Sequence, residues 1–249
     1  MRRSSTVAGA VVICLLVSIG ALAADELAEA DRLFSAGGLE NFQKSIPIYV
    51  KAVAQDPGSF EANWKCARAH REYANQAKRQ EVADWKNICA EHGKAGMQYA
   101  QKAIDLQPDK PDGYYYFGVN VGIYSDGVSI VTALAEGLKD KTQSSFEKAY
   151  ALDKNYKQGG PMLSLGRFWT VLPWPLHDRP KALAYFREYQ KAGFFDANLE
   201  AHLFLSELLI KIGGDANQAE AKKYLEKAAQ STDSYYKNWA TRLLSEIGK

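Results

Sequence analysis

Cysteine, methionine and histidine are scarce in this chain: of 249 residues three are Cys, three are Met and four are His. None of them stands in a recognised catalytic or nucleotide-binding motif. There is no G-x-G-x-x-G, no glycine-rich phosphate loop, no H-E-x-x-H and no G-x-S-x-G, which removes the motif-based case for a dinucleotide fold, a P-loop enzyme, a zinc protease or a serine hydrolase. Asp153-x-Asn155, followed by glycines, lacks the other oxygen ligands and the terminal glutamate of a calcium loop. Runs that alternate apolar and polar residues, the mark of half-buried strands, are missing as well. An excess of either charge is also lacking. The chain has 31 Lys+Arg and 29 Asp+Glu, and Arg2 and Arg3 account for the difference. Beyond residue 23 acids and bases balance, so the basic surface that phosphate neutralisation needs is not there, and nucleic acid is not an expected partner. No cofactor is expected either.

What is present begins with a leader. Arg2 and Arg3 precede an almost wholly apolar run over 7–20, and Ala21-Leu22-Ala23 follows as an A-x-A cleavage signal. This pattern predicts a secretory signal peptide over 1–23, cut after Ala23, and a mature protein in the periplasm. The apolar run is short for a bilayer span of about 20 residues. Cys14 lies inside that run behind the bulky Ile13, so it does not make a lipobox. The remaining Cys66 and Cys89 leave three alternatives: two buried thiols, one disulfide, or a zinc site shared with His70 and His92.

From residue 24 the chain reads as one helical domain, 24–249. The clearest unit is 160–192. Its first half carries Leu165-Gly166 and then Trp169; its second carries Ala182, Phe186 and Tyr189. This is close to the L-G-x2-Y and A-x3-F spacing of a tetratricopeptide repeat, in which small residues let two helices approach and large ones fill the groove. Tyr49, Ala52 and Pro57 repeat the end of such a unit, and Trp64 and Ala67 stand in the same register after Pro57 as Tyr115 and Gly118 after Pro108. The spacing predicts about five helical hairpins, with a capping helix over 234–247. A polar turn is expected over 75–79, a long helix over 80–106, an interruption at Ser125-Asp126-Gly127, an inserted helix over 128–138 and a loop over 153–161. Ser59 and Asp178 are candidate caps, and Asp215 with Gln218 fits a capping box. The fold class is all-α: a tetratricopeptide-like helical-repeat solenoid with insertions.

In such a fold the concave face is lined from the first helix of each hairpin. The polar and aromatic residues there are Trp64, Arg68, Tyr115, Asn120, Tyr124 and Arg167. Trp and Tyr offer contact area at low entropic cost, and Arg and Asn give direction. Trp174, in the Leu172-Pro173-Trp174-Pro175-Leu176-His177 loop, is a separate candidate for partner contact.

The WKCAR run from Trp64, AIDLQP from Ala103, YFGVNVGIY from Tyr116, FEKAYALD from Phe146, GGPMLSLGR from Gly159, KALAYF from Lys181 and LFLSE from Leu203 together resemble the periplasmic tetratricopeptide T component of TRAP-type transporters. The resemblance covers about 45–230. It implies a helical protein with a central cleft or pore, partnership with a solute-binding protein that captures small organic ligands, and self-association. It also places Trp64, Arg68, Asn120, Tyr124 and Arg167 in motifs that line the cleft. The reading is a non-enzymatic periplasmic interaction scaffold; the alternatives are a direct carrier of a small organic ligand and a structural module of envelope assembly.

Overall fold

The structure, a computed structural model, describes residues 24–248, so the expected leader over 1–23 lies outside it. All regular structure among the described residues is α-helical. The chain forms two compact units, divided in sequence between Leu138 and Lys139.

The first unit holds α1 (24–36), α2 (Leu39–Gln55), α3 (Phe60–Arg79), α4 (Trp85–Leu106), α5 (Pro111–Val128) and the short α6 (Ile130–Ala135). Ser59 starts α3 as expected, its side chain accepting the Ala62 N–H at 3.2 Å. Alanines at 62, 67, 69, 74 and 77 are buried along α3. With only methyl groups to hold the neighbours apart, this helix takes α1 and α2 on one side and α4 and α5 on the other. Ala30, Ile46, Tyr49, Cys66 and Tyr73 form the first core, and Ala67, Ala100, Tyr116, Phe117 and Val121 the second. The stretch 75–79 is not a turn. Ala74 and Ala77 are fully buried, so the polar residues between them are the wet face of a continuing helix. The break falls instead at 80–84, where Glu81 and Asp84 take φ of 49° and 64°.

Gly93 and Gly96 of α4 and Gly127 of α5 mark close packing between the two helices. A Cβ on Gly93 would stand 2.5 Å from the Tyr124 nitrogen, and one on Gly96 would stand 2.0 Å from Asn120 Oδ1. From the other side, a Cβ on Gly127 would meet the Ala90 nitrogen and the Lys86 carbonyl at 2.5 Å. Ser125-Asp126-Gly127 therefore does not interrupt α5; the contact with α4 outweighs the low helix propensity of glycine. The inserted helix expected over 128–138 is reduced to α6, begun by Ser129, whose Oγ accepts the Thr132 N–H.

The second unit holds most of α7 (Leu138–Leu152), then α8 (Tyr156–Val171), α9 (Arg179–Lys191), α10 (Leu199–Ile212), α11 (Asp215–Ala229) and α12 (Ser234–Leu244). The hairpin of α8 and α9 is packed as its spacing requires: Leu165, Ala182 and Phe186 are fully buried, and a Cβ on Gly166 would lie 2.7 Å from the Phe186 ring. The loop expected over 153–161 is found as a turn at 153–155, followed within the first turn of α8 by a kink at Lys157, Gln158 and Gly159, all left-handed with φ of 49°, 57° and 78°. Asp178 caps α9 through the Lys181 N–H at 2.9 Å. Asp215 does not cap α11: Gly214, with φ of 86°, takes the N-cap position and makes no side-chain cap. Leu203, Leu225, Ala228, Ala240 and Leu243 form a core to which α10, α11 and α12 all contribute.

Candidate functional site

Three of the candidate residues of the first unit gather where α1, α3 and α5 adjoin. The Trp64 and Tyr116 rings stack with centroids 5.8 Å apart, and Tyr115 sets its edge against Tyr116 at 5.3 Å. Trp64 and Tyr115 are half-buried. The Arg68 guanidinium lies over the Phe34 ring at 3.8 Å and near the Trp64 ring at 5.1 Å, a cation–π arrangement that gains strength as water is excluded. Its Nη2 donates to the Tyr49 hydroxyl at 3.2 Å and faces Asp31 at 3.4 Å, while its Nε is buried without a hydrogen-bond partner. Tyr49 donates to Asp31 Oδ1 at 2.6 Å, and Lys65 bonds the other oxygen of the same carboxylate. Burial, followed by the bond to Asp31, pushes the Tyr49 phenol well above its ordinary range. Arg68 is thus held by an acid, a phenol and two rings. Helix α1 supplies the acid and one of the rings, Asp31 and Phe34.

Asn120 and Tyr124 lie further along α5. Asn120 is fully buried and its Nδ2 donates to the Ala67 carbonyl at 3.1 Å and the Tyr116 carbonyl at 2.8 Å, which ties α5 to α3. The Tyr124 ring is buried and its hydroxyl donates to Glu136 at 2.8 Å. Arg167 and Trp174 belong to the second unit. Arg167 repeats the motif of Arg68: its guanidinium sits over Phe204 at 4.7 Å and Trp239 at 5.6 Å, and its Nη1 donates to Glu207 at 2.7 Å. Burial alone would raise the Glu207 pKa, but the charges of Arg167 and Lys211 and their hydrogen bonds hold it below the usual carboxylate value. Trp174 stands in the loop before α9 and is 82 % exposed.

The Cys/His constellation resolves into separate parts. His70 and His92 meet each other, Nδ1 to Nδ1 at 2.9 Å, with Tyr99 stacked on His70 and Tyr73 edge-on to His92. One ring must donate and the other accept, and burial favours the neutral form of each. Burial, with His92 adding to it, lowers the His70 pKa to about 3. Burial lowers His92 against the pull of Glu91. Cys66 and Cys89 are free buried thiols. Burial raises both, Cys89 to about 11, so neither is primed as a nucleophile. Among the described residues no three His, Cys, Asp or Glu side chains are grouped as metal ligands.

The family model of Regulator of microtubule dynamics protein 1-3 matches residues 26–169, more than half of the chain. Among solved structures, a thermophilic TPR protein of Thermus thermophilus superposes with a TM-score of 0.60 at 16 % identity, over 90 % of this chain and 98 % of that one. That likeness establishes the tetratricopeptide-like helical fold. No curated protein matches the sequence.

Proposed function

We propose, from the premise that the chain belongs to the Regulator of microtubule dynamics protein 1-3 family, that it is a non-enzymatic scaffold which binds a partner protein. The observation that carries this reading is the Trp64–Arg68–Tyr115 cluster where α1, α3 and α5 adjoin. Half-buried aromatic rings beside a fixed guanidinium are the residue types that concentrate binding energy at protein interfaces. Arg68 and Arg167 are engaged by Asp31 and Glu207. That speaks against the direct-carrier alternative, because a small acid would have to displace those carboxylates. The buried, raised thiols and the neutral histidine pair offer no activated group for catalysis.

Two partner classes follow from different observations. The motifs from Trp64 to Glu207 and the leader over 1–23 favour a periplasmic solute-binding protein of the TRAP type, with self-association of the scaffold. The matched family is named for microtubule dynamics, which favours a cytoskeletal partner. The full chain used as bait separates them. Stoichiometric recovery of a solute-binding protein from a periplasmic extract supports the first, and co-sedimentation with purified microtubules supports the second. In either case Trp64→Ala with Tyr115→Ala is expected to lower recovery at least about tenfold. Undiminished recovery by a variant of unchanged helical content would place the contact elsewhere, and recovery of neither partner would remove both assignments.

A further inference from the structure

We propose that the loop between α8 and α9 is a second docking surface, and that it takes an extended segment of a partner protein carrying a carboxylate beside an apolar side chain. Trp174 is 82 % exposed and Leu176 38 %, although water penalises such surface. The loop that carries them is stiff. The Leu176 N–H donates to the Pro173 carbonyl at 2.8 Å, the Asp178 N–H donates to the Trp169 carbonyl at 3.2 Å, and Pro173, Pro175 and Pro180 fix their own φ. A tryptophan presented on a rigid platform gives up little freedom when it is covered.

Leu176 borders an open depression of about 420 Å³ whose floor is Trp169. Trp169 is only 8 % exposed, and its Nε1 donor is buried with no hydrogen-bond partner. His177 and Arg179 line the same depression, and the Arg179 guanidinium has no ion-pair partner among the described residues. Its one carboxylate, Asp178, already accepts the Lys181 N–H as the cap of α9. Lys181, over the Trp169 ring at 4.2 Å, adds a further positive charge nearby, partly answered by Glu147 at 3.2 Å. The unpaired Arg179 guanidinium beside exposed apolar surface complements an acid flanked by apolar residues. Because the depression is open, a chain segment lying across it fits better than an engulfed small molecule.

The test is fluorescence anisotropy of the full chain with a labelled, end-capped octapeptide in which two glutamates flank a leucine–phenylalanine pair. Two control peptides replace the glutamates by glutamine or the apolar pair by serine. The expected result is saturable binding that weakens about tenfold for either control peptide and for either Trp174→Ser or Arg179→Gln. Both side chains reach the surface, and circular dichroism checks that each variant keeps its helices; should Trp174→Ser lose them, Arg179→Gln carries the test. Equal affinity for the glutamate and glutamine peptides, unchanged binding by the variants, or no binding up to about 1 mM, a concentration near the floor of specific recognition, overturns the proposal. So does Trp174-dependent partition onto phosphatidylcholine–phosphatidylserine vesicles without peptide binding, which would make the loop a lipid contact.

Discussion

His70 and His92 share one proton across 2.9 Å, and this fixes the sign of a pH effect. Both have folded pKa values below the ordinary 6.5, so folding favours their neutral forms. Their contribution to stability is complete above about pH 6.5 and falls as the pH drops toward the folded value near 3 for His70. His202, lowered to about 4 by burial and then by Lys227, acts with the same sign in the second unit. Acidification from pH 7 to 5 is expected to cost about 1–2 kcal/mol for each of His70 and His202 by proton linkage, with His92 acting in the same direction. Urea midpoints at the two pH values measure it, and a His70→Phe, His92→Leu variant should show a shallower dependence. A dependence of undiminished steepness in that variant would assign the effect to other groups. A second expectation concerns Asn120, whose amide bonds two carbonyls in a dry site. Asn120→Ala should destabilise by about 1–3 kcal/mol, because the carbonyl of Ala67 loses its donor without gaining water; a thermal melt measures the loss. Very little of this is legible in the sequence. Arg68 stood out as a cation on a first helix, but Asp31, Phe34 and Tyr49 did not, since they lie 19 to 37 residues away and local periodicity carries no such distance. The available signal was charge spacing: Asp31 and Phe34 share a face of α1, and Lys65 and Arg68 share one of α3.

At the scale of elements, α4 and α5 give the sharpest contrast. Gly96 and Gly122 are both helical glycines, yet their surroundings are opposite. A Cβ at 96 falls within 2.0 Å of Asn120, whose amide cannot swing away without breaking two hydrogen bonds. A Cβ at 122 meets nothing within 4 Å. Gly96→Ala is therefore expected to destabilise by about 1–3 kcal/mol through overpacking, and Gly122→Ala to stabilise by about 0.5–1 kcal/mol through helix propensity. Thermal melts of the two variants should move in opposite directions; parallel shifts would show that the crossing is looser than these distances. The helices themselves were legible because their small and large residues recur with repeat spacing, as at Leu165, Gly166, Ala182 and Phe186. Their ends were less so. Polar or glycine-containing stretches at 75–79 and 125–127 read as breaks, and only contacts with distant residues turn them into helix.

For the molecule as a whole, each unit carries its own buried cores, so a change in one is felt first by the helices that share it. Helix α12 covers Leu203, Leu225 and Ala228 with Trp239 and Leu243. Ending the chain after Gln230 should expose that surface, and a stack whose last face is apolar self-associates. Light scattering after gel filtration is expected to show larger species than the full chain gives; an identical mass with an unchanged melt would mean that α12 is dispensable. The all-α, tetratricopeptide-like character was the most legible property of the sequence, because it rests on a pattern repeated along the chain. The division at Leu138/Lys139 was not, because no composition shift or linker marks it.

The three left-handed residues at 157–159 bear on how this chain can change length. A surface connection ordinarily tolerates an added or lost residue. Here Gly159 presses on the Tyr189 ring, where a Cβ would stand 2.8 Å away, while Lys157 and Gln158 hold a backbone shape that side chains disfavour by about 1–2 kcal/mol each. This kink at the start of α8 is therefore a spacer of fixed count, in which a substitution at 157 or 158 is tolerated far more readily than an insertion between them.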